Sequence, residues 1–259
     1  MTRGLRLRVL GSSPSVPRPG RACSSYLLES GRATLLLDCG TGALASLREI
    51  CDYAALDGVI ITHMHADHFL DLVPLRYGLT YGPSLRATPL PVWLPAGGEA
   101  VLRAVCSAFG RDRANDFLAA FEIRTYDART QVEVGDVALS FAPVKHYIDA
   151  FAVRAHTEST AFVYSGDSAP CDELVEMSRG CDLFLCEVSL GTGGESEPRG
   201  HSSAREAGRM ADAANVRALA LTHYPAECST DALRDGAAGE YAGPITVVDD
   251  GMDISISGG

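Results

Sequence analysis

The sequence predicts an α/β protein, a four-layer αββα sandwich formed by one domain over residues 1–259. Two series of short apolar segments, each about the length of a β-strand, end in strand–loop–helix units. No low-complexity linker separates the two series, and 46% of the residues are apolar, which is enough for a substantial core. Two sheets packed face to face, with helices on both outer faces, would bury the apolar side of every element.

The first series of predicted elements starts with strands and finishes with helices. Residues 5–10 alternate apolar residues with arginine, the period of a half-buried strand, and residues 11–20 form a loop restricted by three prolines. Further strands are predicted over residues 24–29, 34–38, 59–61 and 90–94. Helices are predicted over residues 43–51, 66–77 with an interruption or kink near Pro74, 99–109 and 112–120.

The second series is richer in strands. They are predicted over residues 121–126, 131–134, 137–144, 151–155, 161–164, 182–188, 218–221, 245–248 and 254–256. Helices are predicted over residues 174–179 and 203–214, and Ser202 or Ser203 would cap the second of them. Because both halves share a β-rich start and an α/β finish, the pattern favours two sheets packed in layers.

Net charge and composition argue against several classes of protein. The formal charge of −11 disfavours a polyanion as the main partner, because nucleic-acid-binding proteins normally present a basic face. No run of about twenty apolar residues is present, so no membrane span is expected. The N-terminal residues lack the apolar core of a signal peptide. Eight scattered cysteines without a C-x-x-C pair predict reduced, mostly buried thiols in a cytoplasmic protein.

Four metal-capable side chains follow a predicted buried strand within six residues: His63, His65, Asp67 and His68. Imidazole and carboxylate groups are common ligands for zinc and for other divalent ions used in hydrolysis. His63 and His65 are two positions apart, so in an extended segment they point the same way and can share one ion. Asp67 and His68 can face a second position. The cluster therefore predicts a metal site on the loop after this strand.

Three more candidate ligands stand where later strands end. His146 follows the strand at residues 137–144, Asp167 follows the strand at 161–164, and His223 follows the strand at 218–221. Loops at strand ends on a rigid scaffold are where binding and catalytic sites are usually built. We therefore expect these three side chains to join the histidine cluster in a single site.

The string His63-Met64-His65-Ala66-Asp67-His68 resembles the H-x-H-x-D-H signature of metallo-β-lactamase-fold hydrolases. The resemblance implies the αββα fold, with a site for two divalent ions at one edge of the sandwich. It implies these ligands: His63, His65 and His146 for one ion, Asp67, His68 and His223 for the other, and Asp167 between both. Histidine at position 65, where di-iron redox relatives carry a carboxylate, favours a hydrolytic zinc site, with manganese as the alternative. In this family Asp67 would also orient or deprotonate the attacking water.

His201 lies in a segment that resembles the His-Ser/Thr motif of ribonuclease Z and related phosphodiesterases, Gly200-His201-Ser202-Ser203-Ala204. The resemblance implies that His201 faces the scissile phosphate and helps the leaving oxygen to depart. A histidine at a helix start could instead simply cap that helix. Other strings that agree with this branch are Leu10-Gly11-Ser12-Ser13-Pro14, Leu37-Asp38-Cys39-Gly40, Tyr164-Ser165-Gly166-Asp167 and Leu221-Thr222-His223.

The chain departs from ribonuclease Z in one segment. Ribonuclease Z proper carries a long arm, rich in glycine and lysine, between the third histidine and the bridging aspartate, and this arm grips transfer RNA. Here His146 and Asp167 are only 21 positions apart, and two predicted strands fill the segment. Transfer RNA is therefore not expected as a partner. Lys145-His146-Tyr147 is similar to compact bacterial phosphodiesterases, which implies a small-molecule phosphodiester substrate such as a cyclic nucleotide. A homodimer is left open.

Two other functions stay open on the same residues. The metallo-β-lactamase fold also hosts hydrolases of thioesters, lactones and other acyl substrates with the same ligand set. Of the two hydrolase classes, His201 favours the phosphodiesterase. A metal-stabilised scaffold or sensor without catalysis is the third hypothesis, and the unbroken ligand set argues against it.

Overall fold

A computed structural model describes residues 4–108, 119–194 and 199–258 and shows two seven-stranded sheets packed face to face. Across the first sheet the strands are β14 (Asp253–Ile256), β1 (Leu5–Gly11), β2 (Ser25–Glu29), β3 (Thr34–Leu37), β4 (Gly58–Ile60), β5 (Leu90–Pro95) and β6 (Phe121–Tyr126). Across the second they are β13 (Ile245–Val247), β12 (Leu219–Thr222), β11 (Leu183–Glu187), β10 (Ala161–Tyr164), β9 (Phe151–His156), β8 (Val137–Pro143) and β7 (Gln131–Val134).

Part of each sheet is parallel, and this arrangement positions the site. Strands β3 to β6 are parallel to one another in the first sheet, as are β10 to β13 in the second. Neighbouring parallel strands end at the same edge of a sheet, so the loops that follow them are brought together.

Helices cover both outer faces and complete the four predicted layers. The first sheet carries α1 (Ala43–Ile50), α2 (Ala66–Phe69), α3 (Leu72–Tyr81) and α4 (Gly98–Ser107). The second carries α5 (Asp172–Ser178), α6 (Ala204–Ala213) and α7 (Thr230–Ala238). Among the described residues, no helix is long and apolar enough to cross a membrane.

Alternating side chains of the strands explain why the layers form. In β2, Tyr26 and Leu28 point into the core between the sheets, whereas Leu27 between them packs beneath the helices of the first sheet. All three are fully buried. Complete burial of such a side chain contributes roughly 1.5–3 kcal/mol. The period-2 pattern thus fixes both apolar faces of the sheet at once, and the predicted sandwich is confirmed.

The interruption predicted near Pro74 in the helix at residues 66–77 is present but lies a few residues earlier, and the predicted end of the helix is wrong. Two helices, α2 and α3, meet at Leu70 and Asp71, and α3 continues to Tyr81. Pro74 does not interrupt α3, because it is the third residue of that helix, where a backbone N–H has no intrahelical acceptor to lose. The break falls where the Asp71 carboxylate accepts a hydrogen bond from the Leu44 N–H at the start of α1.

Three further differences concern the helices. Helix α4 ends at Ser107, and Phe109, where it was predicted to end, lies outside the described residues. A helix was also predicted over residues 112–120. All but its last two residues lie outside the described part of the chain, and those two form a turn. Helix α7, which contains Gly236, was not predicted at all.

The eight cysteines, all in the described part of the chain, are free thiols, and five of them are buried.

Candidate metal centre

The seven predicted ligands come together at one edge of the sandwich. Their donor atoms form two groups, and within each group the atoms lie no more than 4.8 Å apart. The first group is His63, His65, His146 and Asp167, and the second is Asp67, His68, Asp167 and His223. Asp167 belongs to both, the position that a bridging carboxylate would occupy.

Strand ends deliver most of the first group. His63 lies just beyond β4 and His65 directly precedes α2, while His146 lies in the loop between β8 and β9. The His146 Nε2 and His65 Nδ1 atoms are 3.0 Å apart, and the His63 Nε2 atom is 3.8 Å from Asp167 Oδ2. Three imidazole nitrogens and one carboxylate oxygen therefore converge on one small volume.

The second group is built around the two oxygens of Asp167. Its Oδ1 atom is 3.3 Å from His68 Nε2, and its Oδ2 atom is 3.3 Å from His223 Nε2. The Oδ2 atom of Asp67 lies 3.5 Å from His68 Nε2 and 3.8 Å from His223 Nε2. Two imidazoles thus lie between two carboxylates, a donor set suited to a divalent cation.

Several of the converging atoms are buried without a hydrogen-bond partner. They are His63 Nε2, His68 Nε2 and Asp167 Oδ1. An unsatisfied buried polar atom costs roughly 1–3 kcal/mol, so such atoms are few in folded proteins. Here all three belong to the two groups described above, and all are of the type that binds zinc and similar ions. The residues present therefore fit divalent metal ions.

Hydrogen bonds on the far side of the rings orient the imidazoles. The Nδ1–H of His146 donates to the Gly200 carbonyl oxygen at 2.7 Å. His223 Nδ1 hydrogen-bonds with Ser24 Oγ, also at 2.7 Å. In both residues this contact leaves Nε2 directed at the centre. Such outer contacts set the ring orientation and tautomer of metal-binding histidines.

Asp38 is a buried carboxylate that the sequence analysis did not single out. It stands directly after β3, and its Oδ2 atom accepts hydrogen bonds from His68 Nδ1 (2.7 Å), Tyr164 Oη (2.9 Å) and Thr62 Oγ1 (2.9 Å). Its backbone adopts φ +57°, unusual for a residue other than glycine. Asp38 thereby fixes His68 with Nε2 toward the centre. Its position directly after an apolar strand was the feature of the sequence that could have identified Asp38 as a site residue.

Burial and charge affect the histidines of the two groups differently. Burial lowers the pKa of His63 well below its usual value and lowers the pKa of His146 to about 4, so both rings are neutral near pH 7 and can act as ligands. For His68 burial acts in the same direction, but the carboxylates of Asp167 and Asp38 outweigh it and raise the pKa well above its usual value. The carboxylates around His68 thus favour a positive charge at this position.

His201 is held by a second buried carboxylate that the sequence analysis missed. Its Nδ1–H donates to Glu187 Oε1 at 2.9 Å. Glu187, the last residue of β11, is fully buried and accepts backbone N–H groups from Ser168, Ser189 and Ser202. Like Asp38, it stands at the end of an apolar strand. The carboxylate is rigidly placed, and it holds the imidazole in one orientation.

His201 lies beside both metal-binding groups and does not cap α6. Its ring centroid is 5.0 Å from that of His146 and 6.3 Å from that of His223. The cap is formed by Ser203 and Glu206, whose side chains each accept the other's backbone N–H. The capping alternative for His201 is therefore wrong, and its ring lines the open cleft above the centre.

His156 lies away from the centre. It is the last residue of β9, where it pairs with Ala138 and Ala161 of the neighbouring strands, and its side chain is exposed. No candidate metal-binding group among the described residues contains it.

Fold and site together define a metallo-hydrolase with an αββα sandwich. The chain belongs to the β-lactamase superfamily, whose domain matches residues 33–224.

The chain is 36% identical to an uncharacterised protein of Mycobacterium leprae, over 97% of this chain and 89% of that protein. It is 30% identical to ribonuclease Z of Mycobacterium bovis, over 95% and 96%. The crystal structure of the metallo-β-lactamase-fold protein YhfI from Bacillus subtilis superposes with a TM-score of 0.84 at 25% identity, covering 96% of this chain and 99% of that one. The predicted family and fold are confirmed.

Proposed function

We propose that this protein is a phosphodiesterase that hydrolyses a small cyclic nucleotide with two divalent metal ions. The observation that carries the proposal is His201, an imidazole oriented by buried Glu187 and adjacent to both donor groups. Neither of the two groups formed by the seven predicted ligands includes it. The 30% identity with a protein named as a ribonuclease supports phosphodiester chemistry.

Two ions would be held by the two groups already described. His63, His65 and His146 would bind one, and the other would take Asp67, His68 and His223, with Asp167 shared. Zinc suits this set of imidazoles and carboxylates, and manganese is the alternative. A pair of such ions would stabilise charge on the attacking and leaving oxygens of a phosphodiester.

The chain's own side chains would move the protons. Asp67, whose carboxylate lines the cleft, would orient a water molecule and accept its proton as the water oxygen bonds to phosphorus. His201 would carry a proton of its own on Nε2. It would donate this Nε2 proton to the leaving oxygen as the bond between that oxygen and phosphorus breaks. Glu187 accepts the Nδ1–H and stabilises the charged imidazole, a role that carboxylates play beside catalytic histidines.

The segment between His146 and Asp167 supports a small substrate. Strands β9 and β10 fill it and are integrated in the second sheet, so it forms no protruding arm. The net charge of −11 also opposes binding to a long polyanion. A compact phosphodiester fits these facts better than transfer RNA does.

Replacing His201 with alanine should separate the substrate classes. A ribose oxygen is a poor leaving group and needs a proton, whereas a nitrophenolate leaves with little assistance. We expect His201→Ala to keep both metals, to lose roughly 10²–10⁴-fold in activity on a cyclic nucleotide, and to lose far less on a nitrophenyl phosphodiester. Steady-state rates on both substrates, with metal content measured in the same samples, test this.

The exposed histidine supplies the matched control. His156→Ala removes an imidazole of the same size far from the centre and should leave both rates unchanged. If His201→Ala lost the same factor of activity on both phosphodiesters, this would indicate a general electrostatic role for His201. Full activity of this variant on the cyclic nucleotide, together with turnover of a thioester, would instead favour the acyl-hydrolase alternative.

A further inference from the structure

An exposed aromatic ring stands next to the candidate centre. Tyr147 is 52% exposed although it directly follows His146. Its ring centroid is 5.2 Å from that of His146 and 5.7 Å from that of His201. It also lines the same cleft as His201 and Asp67. A half-exposed aromatic ring thus lies next to the residues assigned to the chemistry.

One edge of this ring packs closely against the backbone of Gly200. A Cβ atom added to Gly200 would lie 2.7 Å from Tyr147 Cε2 and 2.9 Å from His146 Nδ1. Only glycine allows both rings to pack this closely against the segment that leads to His201. Tyr147 is therefore placed in advance by its packing, which lowers the entropy cost of binding against it.

A second apolar wall of the cleft is formed by residues 14–19. Three prolines restrict this loop, and Val16 at its tip is 79% exposed. Arg18 anchors it from behind, since its guanidinium donates to Asp249 and to the Tyr224 hydroxyl, both at 2.9 Å. The loop's only cation is thereby turned away from the cleft, and an apolar surface remains.

The charge of the cleft limits what can bind beside the centre. Among the described residues that line it, none is lysine or arginine, and Glu227 is the one charged residue besides the site carboxylates and histidines. A second phosphate there would meet a carboxylate and no cation. The cleft, about 930 Å³ in volume, has room for a ligand of nucleotide size.

We infer that Tyr147 and the apolar loop at residues 14–19 form a subsite for the aromatic base of a cyclic mononucleotide. This inference rests on the cyclic-nucleotide phosphodiesterase function proposed above and adds the place where the base of the substrate binds. The base stacks on the Tyr147 ring, and the phosphate lies against His201 and the metal-binding groups. Base–aromatic stacking contributes roughly 1–3 kcal/mol and depends little on which base is present.

The test compares a cyclic nucleotide with the methyl riboside 3′,5′-cyclic phosphate, the same ring system without a base. Tyr147→Ala should raise KM for the cyclic nucleotide roughly tenfold or more, with a smaller change in kcat, and should affect the base-free compound far less. Tyr147→Phe keeps the ring and should restore the KM. Tyr81→Ala, which removes a tyrosine that is 70% exposed and does not line this cleft, is the control.

Equal losses on both substrates, or no change in KM for the cyclic nucleotide, would overturn the subsite. Binding of a non-hydrolysable cyclic nucleotide phosphorothioate to the metal-loaded protein, measured by calorimetry, separates this inference from the proposed function. Tight binding that depends on Tyr147, without hydrolysis of the natural compound, would sustain the subsite and refute the phosphodiesterase. Absence of binding to the wild-type protein would refute the subsite.

Discussion

Replacing Asp167 with alanine should release both metal ions and abolish measurable hydrolysis. Asp167 is the one residue shared by the two donor groups, and its oxygens lie 3.3 Å from the Nε2 atoms of His68 and His223. Loss of a residue that only supports a ligand typically weakens metal binding 10–100-fold, so loss of a direct, shared ligand should exceed roughly 100-fold at each position. Calorimetric titration of the metal-free variant with zinc measures both affinities.

Two further variants make the Asp167 experiment decisive. Asp167→Asn keeps the shape of the side chain but removes its charge, so it should also weaken both positions. Asp127→Ala removes a half-exposed aspartate at the turn between β6 and β7 and should leave both affinities unchanged. If Asp167→Ala were folded, as shown by its thermal unfolding, and still bound two ions tightly, the bridging role would be wrong.

Replacing Asp67 with asparagine should cost most of the turnover. Asp67 faces His68 and His223 and also lines the cleft, so it can serve both as ligand and as proton acceptor. Asparagine keeps the shape and one oxygen ligand but lacks the basicity. A general base typically contributes a factor of roughly 10²–10⁴ to the rate. We therefore expect kcat on a nitrophenyl phosphodiester to decrease by a factor of roughly 10²–10⁴. Metal content must be measured in the same sample.

The dependence of this variant on pH adds a second readout. Without an internal base, proton removal from water falls to hydroxide in solution, so the residual rate of Asp67→Asn should continue to rise as the pH increases. A variant with both ions bound and near-full turnover would show that Asp67 is only a ligand.

The candidate ligands could be found from the sequence because four of them cluster on the loop and helix after one apolar strand and the other three follow later strands closely. Asp167 after β10 and His223 after β12 follow short apolar runs, and such runs are easily recognised in the sequence as strands. Asp38 and Glu187 occupy equivalent places, but an aspartate or glutamate at a strand end is usually solvent-exposed. Only the tertiary structure shows that these two are buried and turned back toward His68 and His201.

Strands were easier to predict than helices for a physical reason. A strand between two layers carries apolar residues on both faces, as Leu27 and Leu28 do, and this leaves a strong local pattern. The break between α2 and α3 depends on Asp71 bonding to the start of α1, a contact between distant parts of the chain. Helix α7 contains Gly236, which weakens the local signal, and it is held by packing on α6 and β13.

Several conclusions remain predictions. The organisation as one domain, zinc as the bound metal and a cytoplasmic location rest on the sequence and on its resemblance to the family, and a homodimer stays open. The assignment of roles to individual site residues is likewise a proposal, supported by their convergence at one edge of the sandwich.

The most direct test of the dinuclear centre is the metal content of the protein. Elemental analysis of wild-type protein, purified without chelator, should find close to two divalent ions per chain. This expectation follows from the two donor groups that share Asp167 and from the buried atoms of His63 and His68 that lack other partners. Protein that contained no metal, and took up none on titration with zinc or manganese, would contradict it.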